Sequence, residues 1–266
     1  MAPHTLHVPP RTHSRSVWPY VLNLAQEDGR LSLNPIGLNS FLAAVSIAQL
    51  VEHEGIPMPC GTMKDVLTAA ILALTESAPG YDRVPKADAD TLIEGLGKIR
   101  QTDVGVVREF VPFISFSTFV SEDSARSAMT VASMIGTSSS AVLRALRDDD
   151  AYAIWRFYAD IPPINDDVCF ARANKFCYLL WTRYGLIPSA RWCVPPPWSY
   201  DVASKLLDAG ILTPPGVVKL TPEGTTGFIS AAKAIYPFYC LAFEKAAART
   251  GLSAFALYKF ALEHDW

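Results

Sequence analysis

Histidine is nearly missing from the body of this 266-residue chain. His4, His7 and His13 fall in its first stretch and His264 at its far end, which leaves only His53 in between. Histidine is the usual general base and zinc ligand near neutral pH. Its scarcity takes the commonest residue away from acid–base and metal-assisted catalysis. His53 stands at a predicted helix end, where a contact with the helix dipole is its ordinary use. His-Glu-x-x-His, Gly-x-Ser-x-Gly, the P-loop and Gly-x-Gly-x-x-Gly are all absent. The expectation is a protein that is not an enzyme, with no catalytic residue, no cofactor and no metal site. Asp148-Asp149-Asp150 does not change this, because three consecutive carboxylates fan apart around a turn and suit helix capping better than a metal.

Charge is also sparse. Only 18% of residues are charged and the formal net charge is −3, which excludes a nonspecific polycation. A nucleic-acid partner would need the cations gathered in one groove or arm. Residues 1–16 suit an arm: His4, His7, Arg11, His13 and Arg15 stand among Pro3, Pro9 and Pro10, and no acid precedes Glu27. Five cysteines (Cys60, Cys169, Cys177, Cys193, Cys240) without Cys-x-x-Cys spacing predict a reduced, intracellular protein. No signal peptide is expected, because the first residues hold no apolar run. The greasiest runs, Phe41 to Val51 and Phe228 to Phe243, are too short or are broken by Lys233 and Pro237, so no membrane partner is expected. No Asn-x-Ser/Thr acceptor occurs.

Half the residues are apolar, enough for a substantial core. Helical spacing dominates. Asn34-Pro35 caps a helix predicted over Ile36–Glu54, with Leu38, Leu42, Val45, Ile47 and Leu50 on its apolar side. Further helices are predicted over Thr62–Ser77, Ala87–Arg100, Ser124–Ile135, Ser138–Arg147, Asp150–Tyr158 and Asp166–Tyr184. Pro188 to Trp198 reads as a loop. After it come Ser199–Ala209, Glu223–Arg249 with a kink at Pro237, and Ser253–His264. Val111 to Val120 alternates weakly, as a strand or a turn-rich connector. The expectation is an all-α, two-lobed helical core over 17–266, with lobes 17–112 and 113–266, behind the N-terminal arm.

The strongest cationic constellation lies on the helix predicted from Asp166. At about 100° per residue, Arg172 and Arg183 fall within roughly 20° of each other and Lys175 about 60° away. Arg156 and Arg191 flank them in sequence, and Trp155, Tyr158, Tyr178 and Trp192 are interleaved. A file of cations beside flat apolar rings is what a nucleic-acid backbone and its bases require. An amphipathic helix with its charges in water has the same pattern.

One stretch carries a family resemblance. Phe176-Cys177-Tyr178 is followed by Pro195-Pro196-Pro197-Trp198, then by Leu206-Leu207-Asp208-Ala209-Gly210, Leu220-Thr221-Pro222-Glu223 and the Ala-rich Ala231-Ala232-Lys233-Ala234. This order resembles the core of the coat proteins of flexuous filamentous viruses, in which an aromatic-Cys helix, a Pro-Pro-x-x-Trp turn, a Phe-Phe-Asp-Gly helix and a Pro-Thr-x-x-Glu helix start succeed one another. Pro, Ala and Ser exceed a quarter of the residues, which is similar to the Pro-Ala-Ser-rich RNA-coating proteins of fungal viruses. The resemblance implies a capsid subunit that polymerises helically and encapsidates RNA without reading its sequence. Single-stranded RNA is the partner it implies, with double-stranded RNA as the alternative, and the location is the virion and host cytoplasm. It places Asp208 at the family's buried acid, paired with Lys175 or Arg172. The family's Arg after Phe-Cys is Tyr178 here, and both motif phenylalanines are leucines.

Two other classes fit the same region. Within Val202 to Gly224, the Leu-Leu-x-x-Gly-Ile-Leu run of Leu206 to Leu212, then Val217-Val218-Lys219-Leu220 and Leu220 to Gly224, resemble the recognition-helix end, wing and last strand of winged-helix DNA-binding domains. Tyr200 to Ala209 offers base edges only Lys205, against Asp201 and Asp208. A helical scaffold or adaptor is the remaining alternative.

Overall fold

The computed structural model describes residues 16–27, 32–48, 62–75, 122–162, 164, 170–213 and 226–266. Among these the chain is mostly helical, and the one sheet has two strands. The helices are α1 (Trp18–Glu27), α2 (Pro35–Ile47), α3 (Met63–Thr75), α4 (Glu122–Thr137), α5 (Ser139–Arg147), α6 (Ala151–Ala159), α7 (Ala171–Tyr184), α8 (Ala190–Cys193), α9 (Tyr200–Asp208), α10 (Thr226–Thr250) and α11 (Ala254–Glu263). The strands are β1 (Ser32–Leu33) and β2 (Leu212–Thr213). No helix among the described residues is long and apolar enough to cross a membrane.

The chain divides into two compact units, Gly55–Ala190 and Met1–Glu54 with Arg191–Trp266. In Gly55–Ala190, α3 packs on α7 and α4, and α6 packs on α7 and α5. Thr62 and Asp65 cap α3 reciprocally. The Thr62 N–H donates to the Asp65 carboxylate at 2.9 Å, and the Asp65 N–H donates to the Thr62 hydroxyl at 3.3 Å. Met63, Val66, Leu67, Ala70, Ile71 and Leu74 are all buried, as their spacing predicts. The Tyr158 hydroxyl, donating to the Ala70 carbonyl at 2.6 Å, keeps α6 in register with α3. Asp150 caps α6 through the Ala153 N–H.

In the other unit, α10 packs on α1, α2 and α11, and α9 packs on α11. β1 and β2 pair antiparallel, Ser32 opposite Thr213 and Leu33 opposite Leu212. Asn34 caps α2 through the Ile36 N–H, with Pro35 at the first helical position. The start of α2 then lies so close to the end of α9 that a Cβ on Gly37 would fall 2.8 Å from the Gly210 carbonyl oxygen. Phe41 anchors the core against Phe243, Phe260 and Trp266. Pro195, Pro196 and Pro197 are buried beneath α10. Proline has no N–H to satisfy, and Tyr236 and Tyr239 donate to the Pro196 and Pro197 carbonyls at 2.6 and 2.9 Å.

Several expectations change. Helix α2 closes at Ile47 with Ala48 as its C-cap, short of Glu54, and Ile47 points into solvent at 83% exposure. Helix α7 begins at Ala171, five residues later than expected, because Phe170 adopts φ 56°, which the helix cannot continue through. The expected loop 188–198 contains the single turn α8. Helix α10 contains Pro237, as the single helix expected over 223–249 does. The compact units divide at 54/55 and 190/191, with the chain's first elements and its last third in one unit, whereas the expected lobes divided at 112/113. The arm through residue 15, the helix over 87–100 and the segment 111–120 lie outside the described residues.

Candidate nucleic-acid interface

Helix α7 is buried on nearly every side, from Ala173 and Asn174 through Phe176 to Trp181. Left-handed Gly185 ends it: the Gly185 N–H donates to the Trp181 carbonyl and the Leu186 N–H to the Leu180 carbonyl. The cations occupy the one remaining edge. Arg183 is exposed and makes no ion pair with a described residue, while Arg172 and Lys175 are half-buried. The Lys175 ammonium lies 5.4 Å from the centre of the Tyr178 ring. Leu179 falls within about 20° of Arg172 on the helix and is only 3% exposed. The edge is therefore covered between its cations and is not a continuous open file.

Trp155, Tyr158 and Tyr178, three of the aromatic residues expected from sequence to be base platforms, serve the core instead. Trp155 donates its indole N–H to Asn174 at 2.9 Å. Tyr158 stacks on Phe176 at 4.3 Å between ring centres. Tyr178 is 7% exposed, so it has no open face for a base in the free chain. Arg156 is exposed but engaged by Asp160 at 2.7 Å, and this hydrogen bond raises its pKa further above the usual guanidinium value. Burial, then the nearby Asp65 charge, raises the Tyr184 phenol above its usual range.

Arg191, Trp192 and Asp208 belong to one unit, and Arg156, Arg172, Lys175, Tyr178 and Arg183 to the other. The Arg191 guanidinium lies 5.6 Å from the centre of the half-exposed Trp192 ring. The Trp192 carbonyl accepts the Trp18 indole N–H at 3.0 Å. Asp208 is the last residue of α9 and is exposed, with Ala209 as C-cap and Gly210 at φ 63°. The burial that the resemblance implies for this acid is not present in the free chain. Lys205 is engaged as well: its ammonium donates to the Ala261 and His264 carbonyls and lies 3.3 Å from Asp265. That removes the one cation a recognition helix at this place would have had.

Sequence reasoning passed over Arg144 and Arg147, which are exposed in the last turn of α5. Their spacing of three was the available signal. Asp148, four residues after Arg144, lies at the C-cap and forms no ion pair with a described residue. Among the described residues no three His, Cys, Asp or Glu side chains group to hold a metal ion. No family model, no curated protein and no solved structure matches the chain.

Proposed function

We propose that this chain is a coat subunit that polymerises helically on single-stranded RNA and binds it without reading base sequence. The observation that carries this is that the described motif segments fall, in order, on separate structural elements, with Leu220 to Glu223 outside the described residues. The aromatic-Cys segment is the middle of α7, Pro195 to Trp198 is a buried turn, and the Leu-Leu-Asp-Ala-Gly segment is the closing end of α9. Helix α10 follows, and its Tyr236 and Tyr239 hold the proline carbonyls. Buried proline carbonyls tied to a later helix fix the chain path between the segments, which a chance assortment of short motifs would not need.

The chemistry suits backbone contact. Exposed Arg183 offers a guanidinium to phosphate, and among the described residues no group of Asn, Gln and Arg is arranged along one exposed helix to read base edges. A head-to-tail contact between subunits that does not close grows as a helix. Negative-stain microscopy of the protein with and without RNA tests the proposal, and the expected result is filaments of regular width in the presence of RNA. Monodisperse monomers in both samples would overturn it.

A further inference from the structure

Some of the described cations of the Gly55–Ala190 unit are engaged within the fold. Arg156 is held by Asp160, and Lys175 lies over the Tyr178 ring. Arg144 and Arg147 differ: both are exposed and neither pairs with a described acid. At about 100° per residue, exposed Ser140 falls between them, roughly 40° from Arg144 and 20° from Arg147. The acids of the adjoining corner are largely engaged elsewhere. The Asp149 carboxylate accepts the Ser189 N–H at 3.1 Å and its hydroxyl at 2.9 Å, and the Asp150 carboxylate accepts the Ala153 N–H at 2.9 Å. Only Asp148 remains, beyond the helix end.

We propose that the Ser140, Arg144 and Arg147 face of α5 contacts the phosphodiester backbone of single-stranded RNA. This rests on the RNA-coating proposal and adds a second contact region to the α7 edge. Each guanidinium presents parallel N–H donors to phosphate oxygens, and the hydroxyl supplies a further donor. None of the three reads a base. Two arginines at a helix C-terminus also suit the negative end of its dipole, but that role leaves RNA affinity untouched.

The test is the salt dependence of binding to a uridine oligonucleotide, followed by fluorescence anisotropy on the full chain. Removing one cation that neutralises a phosphate of a single strand lowers the slope of log K against log salt by about 0.7. The double variant Arg144→Gln/Arg147→Gln is expected to lower it by about 1.4 with its circular dichroism unchanged, and Arg183→Gln by about 0.7. A double variant with the slope of the unaltered protein overturns the α5 contact while the coat proposal stands. An unaltered protein that binds no RNA removes both. If the double variant loses its helical signal, the single changes carry the test, each expected to lower the slope by about 0.7.

Discussion

Helix α3 of the Gly55–Ala190 unit closes on small and aliphatic side chains, whereas the core around α10 in the other unit closes on rings. Helix α3 buries Val66, Leu67, Ala69, Ala70, Ile71 and Ala73, and a single tyrosine hydroxyl reaches its backbone. In the second unit Trp198, Tyr236, Tyr239, Phe243 and Tyr258 form a chain of ring contacts, which Phe41 joins at Phe243 from a segment far earlier in sequence. The first kind of core is specified by local spacing and tolerates exchange among similar aliphatics. The second depends on a few large side chains meeting across long sequence separations, so single changes there should cost more.

The largest expected effect is at Phe41. Truncation to Ala removes a ring in contact with three others and should cost about 3–5 kcal/mol. Leu67→Ala, in the aliphatic core, should cost about 2–5 kcal/mol, and Ile47→Ala, on the exposed side of the helix that carries Phe41, within about 0.5 kcal/mol. Urea unfolding of the three variants ranks them. An Ile47→Ala cost equal to that of Phe41→Ala would show that the exposed side of α2 is packed, against the 83% exposure of Ile47.

A smaller effect probes how the discontinuous unit is joined. Gly37→Ala sets a methyl group 2.8 Å from the Gly210 carbonyl oxygen and 2.9 Å from that of Ala209, both backbone atoms with little freedom to yield. Overpacking of this kind costs about 1–3 kcal/mol. Hydrogen exchange should speed up at Asn34, whose N–H donates to the Ile211 carbonyl, and at the β1–β2 pair. If exchange there is unchanged and stability is retained, α2 and α9 have room to part without loosening the strands.

The same contrast explains what was legible in the sequence. Helices whose apolar residues recur at 3.6-residue spacing and whose caps are Asn34, Asp150, Ser199 or Ser253 appear within a residue or two of their predicted starts. Left-handed Phe170 could not be foreseen, because nothing in Cys169-Phe170-Ala171 marks a bulky residue for that conformation. The pairing of residues 32–33 with 212–213 was equally hidden: two-residue strands leave no alternation to read. At the candidate site, helical spacing located the cations but not their partners. It could not tell that Tyr178 would be covered, that Asp160 would take Arg156, or that Arg144 would be left exposed.

The smallest expected effect on folding is at Asp208, where it bears most on function. The carboxylate is exposed at the C-terminal end of α9, the end at which the helix dipole mildly disfavours an acid. Asp208→Ala should therefore change monomer stability by no more than about 0.5 kcal/mol in either direction. If the chain coats RNA as proposed, this acid meets its cation only when RNA or a neighbouring subunit covers it. A pair that forms only on assembly can be missed only there, so the variant should fold normally by circular dichroism yet fail to protect RNA from nuclease. A variant that folds and protects RNA as well as the unaltered protein removes Asp208 from the interface. The coat proposal would then depend on Arg183 and the half-buried cations of α7. A variant that fails to fold would instead mean that the exposed end of α9 has a structural partner, which the solvent exposure of Asp208 argues against.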